Sequence, residues 1–191
     1  MPDAAMDSRQ EGWLKPGAGP DEEALEDALH DMVCGLTGIT GRLVRPRWQP
    51  KPPVTPGPEV SWCALGIVSQ GAPGGAAWHE GGHTRLEVHE TLVVMCSFYG
   101  PHARALARAL RNGLWIEQNR AMLRETANIA LVRVGDITGA PELVDGRWLR
   151  RQDIMLTLTR GPWPDETLKE GATDIKDIES VQACGLCGRS R

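Results

Sequence analysis

Thr84-Arg85-Leu86-Glu87-Val88-His89-Glu90-Thr91-Leu92-Val93-Val94-Met95-Cys96-Ser97-Phe98 is the stretch on which the fold turns. Leu86, Val88, Leu92, Val94, Cys96 and Phe98 point one way, while Arg85, Glu87, His89, Thr91 and Ser97 point the other. A period of two marks a strand with one face in a core. Upstream, Val60 to Ser69 carries Trp62, Cys63, Ala64, Leu65, Ile67 and Val68 and reads as a buried strand. Between the two lies a Gly-rich segment, Gln70 to His83. It is expected to be a loop, and loops of that length in compact domains are usually functional or disordered.

Further towards the N-terminus, five prolines fall within residues 49–58, which predicts a stiff extended connector. Leu43 to Trp48 is short and broken by Pro46, as an edge segment would be. Asp21 precedes Glu22-Glu23, a capping residue followed by acids where the helix dipole favours them. Leu25, Ala28, Leu29, Met32, Val33 and Leu36 then recur at helical spacing, predicting a helix over about 21–35 that Gly35 and Gly38 would end. Downstream, Pro101 suits the first position of a helix. Ala103, Leu106, Ala107, Leu110 and Leu114 form one of its faces, and Arg104, Arg108 and Arg111 another. A second helical stretch follows at about 115–126, then a strand Ile129 to Val134, a turn at Gly135-Asp136, and a fourth strand Arg147 to Arg160. Runs of strands interrupted by one helical block predict an α+β fold: a mostly antiparallel sheet of about four strands with helices packed on one face. The organisation expected is a flexible N-terminal arm over 1–20, a domain over 21–160 and a C-terminal tail over 161–191, both ends extended.

Composition limits the function classes. The chain has 191 residues, 41% hydrophobic and 24% charged, with a mean hydropathy of −0.31, values of a soluble globular domain able to bury its own core. It has no apolar run of the length that spans a bilayer, about 18 residues, and its first residues lack a secretory h-region. Five cysteines, an odd number at irregular spacing, do not make a disulfide framework. A net charge of −4 argues against tight nucleic-acid binding, which needs clustered positive charge.

Three local patterns invite a chemical reading. His79-Glu80-Gly81-Gly82-His83 has the zincin spacing, in which two His one helical turn apart bind zinc and the Glu is the general base. That chemistry needs a helix, and two adjacent glycines oppose one. A zinc-dependent hydrolase is therefore the alternative function, and a chance match in a loop the plainer explanation. Cys184-Gly185-Leu186-Cys187 is half of a zinc ribbon or a redox pair, in a terminal segment with no second pair to complete it. Cys34, Cys63 and Cys96 sit in apolar-patterned segments and read as small buried hydrophobes. The stripe Arg104/Arg108/Arg111 is either a solvated helix face or a surface for an acidic neighbouring subunit.

Seven tryptophans against one Tyr and one Phe is an unusual balance. Trp48, Trp62, Trp115 and Trp148 lie beside apolar positions, where core placement would account for them. Trp13, Trp78 and Trp163 fall in the expected arm, loop and tail. Aromatics in such places anchor partners, because each buries much area with few torsions to freeze.

A succession of short motifs completes the reading. Arg45-Pro46-Arg47-Trp48-Gln49-Pro50 is followed by Cys96-Ser97-Phe98-Tyr99-Gly100-Pro101, Gly113-Leu114, and Gln118-Asn119-Arg120. Gly135-Asp136-Ile137 and Arg147-Trp148-Leu149-Arg150-Arg151-Gln152-Asp153 come last. In this order and spacing the chain resembles the neck or tail terminator family of tailed bacteriophages over about 36–160, with a hydrophilic region after Arg160 that departs from the pattern. The resemblance implies a small α+β protein without catalysis or cofactor. It implies a homo-oligomeric ring, a hexamer, that caps the tail tube protein and joins it to the head-side connector or stopper. Its place would be the virion neck, after assembly in the host cytoplasm. DNA would pass through the channel without specific binding, and no membrane would be involved. Candidate subunit or partner contacts are Trp48, Trp78, Arg104, Arg108 and Arg111.

Overall fold

The computed structural model describes residues 21–49, 51, 54–80, 83–144, 146–161 and 167–169. The chain divides into two compact units, one of residues 19–76 and 87–164, the other of residues 1–18, 77–86 and 165–191. The order in the first is helix α1 (Glu22–Thr37), a 3-10 turn (Gly41–Leu43), strand β1 (Val44–Pro46), and the long strands β2 (Trp62–Glu80) and β3 (His83–Tyr99). Helices α2 (Ala103–Leu114) and α3 (Glu117–Ala127) follow, then β4 (Ile129–Val134), β5 (Thr138–Gly139), β6 (Glu142–Val144), β7 (Arg147–Leu149) and β8 (Arg151–Arg160). In the second unit the described residues are the ends of β2 and β3 and a short strand β9 (Thr167–Lys169), whose residues pair antiparallel with His83–Arg85 of β3.

The fold class is the α+β expected. Four long strands lie in the order β2-β3-β8-β4, with β1 added parallel at the β2 edge. β3 and β8 are antiparallel over ten residue pairs, from Glu90↔Arg160 to Tyr99↔Arg151. Alternation decides which face is covered. Leu92, Val94, Cys96 and Phe98 of β3, with Ile154, Leu156 and Leu158 of β8, are fully or almost fully buried. They pack in one core with Leu25, Leu29, Met32 and Val33 of α1 and Ala103, Ala107, Leu110 and Leu114 of α2. The large apolar side chains in this core each contribute about 1.5–3 kcal/mol on leaving water. The small alanines let α2 approach the sheet closely. On the opposite face Met155 is half exposed.

The ends of α1 follow the sequence signals at Asp21 and Gly38, whereas Gly35, the other expected stop, lies inside the helix. Asp21 Oδ1 accepts from the Glu23 and Ala24 amides at 2.9 and 3.3 Å. Gly38, at φ +73°, closes α1 with its N–H on the Cys34 carbonyl. Pro46 sits on the outermost strand, where its missing N–H leaves no ladder bond unmade.

Five expectations are corrected. The Gly-rich segment is no loop: residues 70–80 continue β2 and His83 begins β3. Two neighbouring strands separated by only two residues form an antiparallel hairpin. Main-chain pairing with a long partner holds Gly and Ala extended without any side-chain alternation to announce it. Helix α2 starts at Ala103, not Pro101, because the chain must first turn at Gly100 and His102 donates its amide to Ser61 Oγ at 3.0 Å. Gly135-Asp136 makes no reversal, since β4 and then β5 both run antiparallel along β8; the chain bulges, with the Gly135 amide on the Met155 carbonyl at 2.7 Å. The strand expected over Arg147–Arg160 is two strands broken at Arg150, whose carbonyl accepts from Gly100 at 3.0 Å, and β7 pairs with β6 in a separate ribbon. The expected tail contains β9, paired through backbone bonds although its sequence lacks periodicity; residues 170–191 and the arm 1–20 lie outside the described residues.

Candidate assembly surfaces

At the β1 edge of the larger unit, Arg47 donates from Nη2 to the hydroxyl of Ser97, which is fully buried although it sits on the polar side of the β3 alternation. The neighbouring Trp48 ring lies over Gly66. A Cβ on Gly66 would come within 2.9 Å of that ring and 3.0 Å of Arg47 Cβ, so only glycine leaves room for it. Trp48 nevertheless remains 63% exposed. Its placement is fixed from below while its outer face is free.

Beside it runs a column of alternating cations and rings. The Arg45 guanidinium sits 5.8 Å from the Trp62 ring centre, and Trp62 stacks on Tyr99 at 4.1 Å. The Arg151 guanidinium stands 5.6 Å from the Tyr99 ring. Such contacts add to area burial and fix geometry. The ends of the column are tied down. Arg45 Nη1 donates to the Val54 carbonyl at 2.9 Å, holding the proline connector. Arg151 donates to Glu142 Oε2 at 2.9 Å and Asp153 Oδ1 at 2.8 Å, and the Tyr99 hydroxyl donates to Glu142 Oε2 at 3.1 Å. Burial, with Glu142 adding, pushes the Tyr99 phenol up to about 12. The bond to Asp153 holds Arg151 even more firmly protonated than an ordinary arginine.

On the helical layer, Arg104 and Arg108 are exposed and Arg111 is half-buried, its Nε donating to Asn112 Oδ1 at 3.4 Å. Trp115 and Trp148 are 60% and 71% exposed, so the core placement considered for them, and for Trp48, is corrected. Of that group only Trp62 is partly covered, by its stack on Tyr99. The other three each stand at a margin of the core: Trp48 just after the edge strand β1, Trp115 at the C-cap of α2 and Trp148 in the separate β6–β7 ribbon. Trp78 stands in β2 and not in a loop; Trp13 and Trp163 lie outside the described residues.

His79 and Glu80 belong to β2 and His83 to β3. The zincin arrangement requires one helical turn between the two imidazoles, and these residues are extended, so the sequence match does not produce it. Gly81 and Gly82 lie outside the described residues, as do Cys184 and Cys187. Cys63 and Cys96 are buried free thiols, as expected of small hydrophobes, and Cys34 is half-buried. Burial and the adjacent Cys96 push the Cys63 thiol well up, making it a poor nucleophile.

Short motifs scattered through the sequence therefore converge. Arg45 and Arg47, Ser97 and Tyr99, and Arg151 and Asp153 come from three stretches and meet on one face of the sheet. Gly113 and Asn119 come from two others. Gly113 lets Leu36 approach, its built Cβ lying 3.0 Å from Leu36 Cδ2, and Asn119 Nδ2 donates to the Gly113 carbonyl at 2.8 Å. The sequence matches the family described as phage neck terminator protein over residues 23–187.

The chain belongs to that family.

The match extends past Arg160 to Cys187, so the C-terminal segment does not depart from the family as the motif succession suggested. A comparison with curated proteins gives no match. Membership makes this chain a structural protein of the phage tail or neck, acting among other head–tail proteins of the virion. Among the described residues no helix is long and apolar enough to cross a membrane. The signal that sequence reasoning missed was spatial. Arg45, Tyr99 and Arg151 each stood inside a quoted motif, but nothing in the chain order says that they stack.

Proposed function

We propose that this protein is the ring-forming tail terminator of a phage neck, a homo-oligomer, hexameric, that covers the growing end of the tail tube and presents the head-side connector or stopper with a matching surface. Covering the tube end removes the surface to which the next tube subunit would bind, which stops polymerisation without any reaction. DNA passes through the axial channel without specific binding. Assembly takes place in the host cytoplasm, and the protein needs neither a cofactor nor catalysis.

Family membership over residues 23–187 carries this reading. The larger unit supports it by the way it presents contact groups. Trp48 is held by Gly66 beneath and exposed above, so its ordering cost is met before a partner arrives. The contact set is Trp48 and Trp78 with Arg104, Arg108 and Arg111. The test is electron microscopy of particles made with and without this protein. Tails of irregular length that fail to join heads are expected when it is missing. Normal tails joined to heads in its absence, together with a strictly monomeric purified protein, overturn the reading.

A further inference from the structure

Helices α1 and α2 carry opposite charge. Residues 21–41 contain Asp21, Glu22, Glu23, Glu26, Asp27 and Asp31 and no lysine or arginine, whereas residues 91–116 contain Arg104, Arg108 and Arg111 and no acid. Glu23, Asp27 and Asp31 are four residues apart, so they form one line along α1, and all three are exposed. Arg104, Arg108 and Arg111 form a similar line along α2. Among the described residues none of these three arginines pairs with a carboxylate, and Glu23 and Asp27 pair with no cation.

The two helices are anchored at different places on the sheet. α1 packs against β1, the outermost strand on one side, and α2 against β8 and β4 towards the other. Two unlike, complementary faces on one chain favour a head-to-tail contact, which closes into a ring when the rotation permits. We infer that the face of α2 bearing Arg104, Arg108 and Arg111 receives the acidic face of α1 from a second copy of this chain. The inference rests on the ring reading above and adds which two surfaces meet. DNA is the less suitable occupant. The chain carries a net charge of −4, and three arginines on one helix are not the clustered positive surface that a run of phosphates needs. Charge complementarity of this kind sets register and partner choice more than raw affinity.

Three full-length variants test the inference: Arg104→Glu with Arg108→Glu, Asp27→Lys with Asp31→Lys, and all four changes in one chain. Circular dichroism confirms folding, and light scattering with electron microscopy reads assembly alone and on tail tubes. Each double variant is expected to lose at least about tenfold in assembled species, from like charges brought face to face. The fourfold variant, and an equal mixture of the two doubles, should recover assembly. Raising salt from about 0.05 to 0.5 M should weaken the wild-type contact, as screening shortens the reach of exposed charges. Wild-type-like assembly of folded double variants overturns the inference and leaves the ring reading standing, as does loss without recovery in the mixture and the fourfold variant. Normal assembly of Arg104→Glu/Arg108→Glu with loss of DNA from filled particles assigns the arginines to DNA and overturns it too. A wild-type protein that forms no ring, alone or on tubes, removes the ring reading itself.

Discussion

The ring of Tyr99 lies flat on the ring of Trp62, their centres 4.1 Å apart and their planes 6° from parallel. The pair joins β2 to β3 on the face of the sheet away from the helices, between the guanidinium groups of Arg45 and Arg151. Tyr99 is the only tyrosine in the chain, so its phenol can be titrated by absorbance without interference from another. The folded protein should titrate near pH 12, against about 10 once unfolded. Because the folded value is the higher, the stability linked to the neutral phenol is complete below pH 10 and is lost as pH rises towards 12. A folded-state midpoint at 10 contradicts the burial described.

Arg160 is only 3% exposed and donates from both Nε and Nη2 to Glu90 Oε2, at 2.9 and 2.5 Å. Glu22 lies 3.6 Å away and is mostly exposed. Replacing Glu90 by Ala leaves a buried guanidinium without its main partner, at a cost of about 3–5 kcal/mol. Changing Glu90 and Arg160 together to Met should cost much less, since no unpaired charge remains. Urea melts of the single and double variants measure the difference.

Gly100 has φ +93°, and a Cβ there would sit 2.5 Å from the Val60 carbonyl oxygen. Neither term can be relieved alone, because the backbone conformation and the close approach to Val60 share one turn. Gly100→Ala should therefore destabilise by about 3 kcal/mol or more. Thermal unfolding reads this directly, and a change under 1 kcal/mol would contradict the geometry.

Two aromatic truncations should separate core from contact. Phe98 is fully buried among the helices, and Phe98→Ala should cost about 3–5 kcal/mol. Trp48→Ala removes an exposed ring and should cost about 1 kcal/mol or less. It should instead lower incorporation into tails, measured by the protein content of purified particles.

The covered face of the sheet was legible in the sequence because burial writes itself into alternation: Leu92, Val94, Cys96 and Phe98 had no other explanation. The cap at Asp21 and the stop at Gly38 were legible for the same local reason. The second half of β2 was not. Residues 70–76 are exposed where their burial is described, and main-chain pairing with β3 leaves no trace in side-chain pattern. Nor could sequence show that Trp115 and Trp148 stay outside, since an indole beside apolar neighbours reads as core until the packing partners are known. Arg45 and Arg151 each stand in a quoted motif, yet only the fold shows them flanking one aromatic pair.

The ladder between β3 and β8 begins with Glu90 opposite Arg160, seventy positions later in the chain. During synthesis β3 emerges long before β8, and its row of Leu92, Val94, Cys96 and Phe98 must wait with that edge open. Pairing over such a separation is slow to form and prone to misassociation while incomplete. A truncated or stalled chain thus offers a sticky strand but no finished sheet, so only a completed copy presents the folded surface.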